Sequence, residues 1–289
     1  MTSAGIRRFT VLASAAASFT WLCWPAIVGL VRDWSTDDNY SHGFFIVPLA
    51  LYFLWERRDR LANLPPAPRL SGLILVIGGI GLLLAGLLGA ERFLSRIAMI
   101  VLLVGAIVFV KGWPTLRIAA FPVVFLLLMI PLPAIVFNEM AFPLQLLASR
   151  AGEVVLSAAG VPVLREGNLI ILAHTTLEVA EACSGIRSLI TLLTLGIVFG
   201  YFTDTRTWIR TAIAASTIPV AIVANAGRVA GTGLAAHFYG PDAAQGFFHT
   251  FSGWLVFGVA FVLVLGIARL LVGLAPAPRP GPGTLPAAI

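Results

Sequence analysis

Residues 70–111 read "LSGLILVIGGIGLLLAGLLGAERFLSRIAMIVLLVGAIVFVK". Two apolar runs, 70–90 and 94–111, are parted by a short polar joint at Glu91 and Arg92. About 20 predominantly apolar residues in a helix cross the hydrocarbon layer of a bilayer. Both runs therefore predict membrane spans, and the rest of the chain follows suit. It has 289 residues, of which 59% are hydrophobic and 11% charged, where a soluble domain carries about 25% charged residues. The net charge of +6 is no nucleic-acid signature, because the basic residues sit in short loops between apolar runs.

Eight segments read as spans: 9–31, 43–55, 70–90, 94–111, 116–136, 186–203, 208–227 and 251–273. The first follows Arg7 and Arg8 and is too long for the apolar core of a signal peptide, so it is expected to be a retained span. The second is short and must borrow flanking residues. The fifth holds Pro122, Pro131 and Pro133, and should kink or end early. Residues 137–182 are too polar to cross. Their first half, "NEMAFPLQLLASRAGEVVLSAAG", spaces its apolar residues as a helix does, with Glu139, Arg150 and Glu153 off that face, and predicts an amphipathic helix lying in the interface. Their second half, "NLIILAHTTLEVAEA", has two β-leaning runs around "HTT" and predicts a short hairpin. The expected fold class is an all-α membrane protein. It is a polytopic bundle of about eight transmembrane helices, with an extracytoplasmic interfacial helix and short β-hairpin between spans five and six. A single integral-membrane domain is expected over 1–274 and a disordered cytoplasmic tail over 275–289.

The Lys/Arg bias of the loops orients the spans. With both termini inside, the cytoplasmic pieces gather most of the arginines against Glu56, Asp59 and Asp204 alone, and the outer pieces come out slightly negative. The polar clusters then all fall on the extracytoplasmic side: "NYSHG" (39–43), "EACSGIRSL" (181–189), "NAGRVAGTG" (225–233) and "HTFSGW" (249–254).

Cys183 is the chemically interesting residue among them. The chain has one other cysteine, Cys23, inside an apolar run, so no disulfide framework is implied. A thiol becomes a strong nucleophile once ionised, and a helix N-terminus or a nearby cation favours the thiolate. Cys183 is expected near the start of a helix, with Arg187 four residues on along the same face. A histidine would complete a nucleophile–base pair. His249 directly precedes a span on the outer side, and His42 stands at the same height as its competitor; His174 and His237 read as structural. Arg228, driven to the end of an apolar run beside Asn225 and three glycines, is either a cation for chemistry or an arginine snorkelling to the headgroups. Cys, His and Arg together supply a nucleophile, a base and a cation for a developing oxyanion, the requirements of acyl transfer. A Zn²⁺ site is the rival chemistry, but no HxxxH or CxxC spacing is present. No cofactor is expected.

These residues carry a resemblance. "NYSHGFFIVPLALYFLW", "VAEACSGIRSLITLLTLG", "NAGRVAGTG" and "HTFSGWLVFG", in that order over roughly residues 20–270, resemble the exosortase/archaeosortase family of bacterial and archaeal membrane cysteine transpeptidases. The resemblance implies that Cys183 is the nucleophile, Arg228 the oxyanion or substrate-orienting cation and His249 the acid/base. Arg187, Asn225, His42, Tyr40 and Ser184 are candidates for substrate binding or support. It further implies substrates with a C-terminal sorting tail: a Pro-Glu-Pro-like motif, one transmembrane helix and a basic cluster. The tail would be cut outside a bacterial inner membrane and the protein passed to a cell-surface acceptor, often in exopolysaccharide producers. Some relatives carry an additional C-terminal soluble domain, which is not expected here. Two other readings compete. A transferase of lipid-linked glycan or acyl groups would use the outer histidines and arginines without Cys183. A transporter would want polar residues at mid-span, which these Leu/Ile/Val/Ala/Gly runs lack.

Overall fold

The computed structural model describes residues 3–173, 175–179, 185–240 and 246–275, without the side chains of 3–9, 11–12 and 246–252. The expected tail lies almost wholly outside the described residues. The chain divides into two compact units, Met1–Phe137 and Asn138–Ile289.

Unit one begins with α1 (Ser3–Leu22) and α2 (Trp24–Thr36), which replace the single span expected over 9–31 and meet at a 67° bend. Pro25, in the first turn of α2, has no N–H to offer the Trp21 carbonyl, so the helix cannot run through. Next come α3 (Gly43–Glu56), α4 (Arg58–Ala62), α5 (Leu70–Leu88), α6 (Arg92–Val110) and α7 (Trp113–Phe125). A 3-10 turn, Leu126–Met129, ends the series before α8 (Ala134–Ala158) crosses into unit two. The helices α5 and α6 are the pair read from residues 70–111. Their backbones come close at Gly72 against Phe109 and at Gly105 against Val76. Small residues at a helix contact permit such packing, which is how membrane helices associate without a hydrophobic driving force between them.

Five described helices are long and apolar enough to cross a membrane, or up to seven if each bent pair counts as one span, against the eight expected. Three expected spans are not single spanning helices: the one at 9–31 is the bent pair α1 and α2, and the other two have causes of their own. The helix α3 has 14 residues, below the length that spans. The run expected at 116–136 breaks, with the helices before and after Ile130–Pro133 bent by 81°.

That break explains part of "NYSHG". Pro133 has no N–H, so the Met129 carbonyl loses its helical donor; the Trp34 indole Nε1–H donates to it instead, at 2.9 Å. The His42 Nε2 lies 3.1 Å from the Leu128 carbonyl, and the Tyr40 hydroxyl meets the backbone of Leu132. Residues 34–42 thus clasp a proline-broken backbone. His42 is 8% exposed, and burial pushes its imidazole below the usual 6.5. A neutral ring donating Nε2–H is the state that fits the carbonyl. Below about pH 6.5 the unfolded chain takes up a proton that the folded imidazole resists, so stability is full above that pH and is lost as the pH falls. The detergent-solubilised protein is expected to melt lower at pH 5 than at pH 7.5, with the drop reduced in His42→Gln. An equal drop in that variant would remove His42 as its cause.

Unit two holds the rest of α8, a three-stranded antiparallel sheet and three helices: α9 (Ile186–Thr203), α10 (Thr207–Tyr239) and α11 (Gly246–Leu274). The sheet order is β1 (Val163–Glu166), β2 (Leu169–Leu172) and β3 (Thr176–Glu178), with Arg165 opposite Ile170 and Ile170 opposite Leu177. The sequence reading expected two strands around "HTT"; β1 is an addition, turned onto β2 through Gly167 and Asn168. Leu156 of α8, Ile170 and Leu172 of β2, and Val229 and Ala236 of α10 share one buried cluster. A second cluster joins Leu192, Ile213, Ala221, Ala260 and Val264 of α9, α10 and α11. These two clusters account for the length of α10. Its 33 residues reach about 50 Å at 1.5 Å each, well past the span expected at 208–227. Gly227, Gly231 and Gly233 weaken helix propensity, but the second half is held by packing on α8 and the sheet. At its start, Asp204 accepts from the Arg206 backbone and guanidinium at 2.7 Å each, and these bonds hold its carboxyl down to about 2.

Candidate functional site

The helix α10 supplies the frame. Ala221, Ala224, Asn225 and Arg228 recur at offsets of three, four and seven and so share one face. Gly253, Val256, Phe257 and Ala260 do the same on α11, and Ser188 and Leu192 stand one turn apart on α9. These three faces enclose a crevice. Its polar lining is Ser188, Asn225 and Arg228, and its volume of about 10 Å³ suits one water-sized group. Asn225 is 6% exposed.

Two glycines set the approach. At Gly253 a Cβ would stand 3.3 Å from Arg228 Nη2, so the guanidinium lies flat against the backbone of α11. Gly185 caps α9 with φ of 77°, a left-handed conformation that costs other residues about 1–2 kcal/mol. A Cβ at Gly185 would also stand 2.7 Å from Asn225 Cγ, so glycine is needed there for both conformation and space. The sequence reading noted neither glycine, nor Ser188. The signal for Ser188 was its four-residue spacing from Leu192, which needs a known helix register to be useful.

The expected site residues distribute as follows. Arg228 and Asn225 line the crevice together. Cys183 and Ser184 lie outside the described residues, as does His174. His249 belongs to the first turn of α11 by backbone, its side chain being undescribed; residue 249 is one turn before Gly253 on the same face. Arg187 is half-buried on α9 and is not among the residues lining the crevice. The helix α9 that carries it starts at Ile186, behind a left-handed Gly185. His42 and Tyr40 belong to unit one, where they hold the backbone at 128–132. The His237 ring lies edge-on to Phe238, 5.0 Å away, in the last turn of α10.

A half-buried guanidinium beside a buried amide and a hydroxyl, where α10 faces the first turns of α9 and α11, is a donor-rich niche. It can hold an oxyanion or a carboxylate.

A family model described as transmembrane exosortase matches residues 34–266, from the end of α2 into α11. No curated protein and no solved structure matches the chain.

Proposed function

This chain belongs to the transmembrane exosortase family, and we propose that it is a membrane cysteine transpeptidase that cuts C-terminal sorting tails on the extracytoplasmic side. The family supports an exosortase-type membrane function; the residue roles below are our own reading. Cys183, as thiolate, attacks the scissile carbonyl, and the oxyanion that forms is met by Arg228 with Asn225 behind it. The tetrahedral intermediate collapses to a thioester as the C–N bond breaks, and the leaving amine takes a proton from the His249 imidazolium. His249 then removes a proton from the acceptor nucleophile, which attacks the thioester and returns the sulfur of Cys183.

One observation carries this assignment. Arg228 and Asn225, one turn apart on α10, touch the start of α11 at Gly253 and the start of α9 at Gly185 respectively. Two trans peptide links span at most about 7 Å, so Cys183 is tethered within that distance of Gly185. Residue 249 is one turn from Gly253. On this reading the three groups named by the motifs meet beside the crevice that α9, α10 and α11 line. The sheet packed on Val229 and Ala236 would cover this site and slow hydrolysis of the thioester until the acceptor enters. The tail's membrane helix would deliver its cleavage motif at the bilayer surface, and the motif glutamate would find a cation there.

The test is the intact mass of a tailed substrate co-expressed with this chain. The expected product has lost its tail at the motif, with or without an added acceptor mass. Substrate that stays at full length, in membranes where this chain is folded, would overturn the reading.

A further inference from the structure

Unit one contains a cavity that the transpeptidase chemistry does not use. It has a volume of about 340 Å³ and lies where the first turns of α2, the end of α5 and the start of α6 meet. Ala26 and Gly29 line it from α2, Gly86 and Leu87 from α5, and Arg92 and Arg96 from α6. Arg96 is 3% exposed, and its Nη2 donates to Asp33 Oδ2 at 2.7 Å. Arg92 Nη1 stands 3.7 Å from the other Asp33 oxygen. Glu91, the nearby second acid, accepts from the Phe93 backbone and caps α6.

Two guanidinium groups therefore share one carboxylate at the edge of a cavity. A charge inside a membrane segment is costly and is kept where it has a partner or a function. Asp33 partners Arg96, yet each guanidinium has five N–H donors, more between them than one carboxylate can accept, and both arginines line the cavity. Arginine donors pair with phosphate oxygens in a two-pronged geometry, and the start of α6, a helix of 19 residues, adds its positive end. The walls add a second requirement. Leu87 lines the cavity, and Leu84, Leu87 and Leu88 on α5 and Val28 on α2 are exposed. Both α5 and α6 are long and apolar enough to cross a membrane, so the joint between them, 89–91, stands at a bilayer boundary, where headgroups are. A free anion would not need the aliphatic flank; an amphiphile would.

We propose that this cavity binds the phosphate of an anionic lipid, with Arg92 and Arg96 holding the phosphate oxygens and the acyl chains lying along the exposed leucines of α5. The proposal does not rest on the Cys183 reading, since its test measures lipid binding and no processing.

The experiment is native mass spectrometry of the full chain in detergent, titrated with short-chain phosphatidylglycerol, short-chain phosphatidylcholine and inorganic phosphate. Arg96 is left in place, because removing it would strand Asp33. Arg92→Gln removes an exposed donor group. Gly29→Leu fills the cavity: a Cβ there meets only Arg96 Nη2, at an ordinary 3.5 Å, and leucine favours the helix. Phosphatidylglycerol is expected to bind about tenfold tighter than phosphatidylcholine, the worth of one or two charge-assisted bonds, and about tenfold tighter than inorganic phosphate. Each variant is expected to remove most of that preference. Equal binding of the two lipids, or wild-type preference in either variant, would overturn the proposal. Displacement of phosphatidylglycerol by equimolar inorganic phosphate would overturn it too, by assigning the cavity to a free anion.

Discussion

Cys183→Ala is expected to stop tail removal, lowering its rate by at least about three orders of magnitude, as loss of a covalent nucleophile does. The tailed substrate would accumulate at full length in the membrane, and no thioester would be trapped by hydroxylamine. The size of the effect follows from the chemistry. Nothing else described at this end of unit two offers a nucleophile of comparable strength: Ser188 is a hydroxyl on α9, ionising far less readily than a thiol. Cys183→Ser is therefore expected to fall nearly as far. Alanine and serine are both small, and the Gly185 cap that sets the start of α9 is untouched, so thermal unfolding should match the parent. Processing above a tenth of the parent rate in Cys183→Ala would move the chemistry to another residue, and the transferase reading, which has no use for the thiol, would gain.

Arg228→Ala comes next, with an expected loss of about 10²–10³-fold, the range seen when one oxyanion donor is removed. The way the loss divides is more informative than its size. If Arg228 meets charge that develops in the transition state, kcat falls and KM holds. If it grips a substrate carboxylate throughout, KM rises with kcat nearly unchanged. We expect the first, because the crevice around Arg228 has room for about one small group and not for a peptide side chain. Arg228→Lys keeps the charge but not the planar fork, and should recover only part of the rate. Gly253→Ala is the geometric control. The added Cβ would stand 3.3 Å from Arg228 Nη2, so the guanidinium must shift by a few tenths of an ångström. A loss of about tenfold in kcat is expected, against none in Gly258→Ala, where a Cβ would meet nothing. Equal behaviour of the two glycine variants would mean that the packing of Arg228 on α11 does not matter.

The parts of the fold that could be read in advance depend on local physics. The pair α5 and α6 is legible because two apolar runs of spanning length need no partner to declare themselves. The breaks at Cys23–Pro25 and at Pro131–Pro133 follow from a missing N–H, but their consequences do not. Whether a proline kinks a span or splits it depends on what takes up the freed carbonyl, and at Met129 that is Trp34, 95 residues away. The same holds for His42. By sequence it is a histidine at the right height for catalysis, whereas its partner at 3.1 Å is the Leu128 carbonyl, 86 residues on. The reach of α10 beyond 227 was equally hidden, since its glycines argue for an end and only packing on β2 and α8 argues against one.

Sequence alone determined the solvent, the helical class and the family, because apolar runs of bilayer length and the ordered motifs around Cys183, Arg228 and His249 are written in consecutive residues. Tertiary structure decided which polar side chains are neighbours. It brought Arg228 onto Gly253, Asn225 onto Gly185, Ser188 into the same crevice, and Arg96 onto Asp33 63 positions away. The physical reason is one of range. Hydropathy and backbone chemistry act along the chain, residue by residue, whereas a buried guanidinium or amide is satisfied by whatever donor, acceptor or gap the folded helices bring to it.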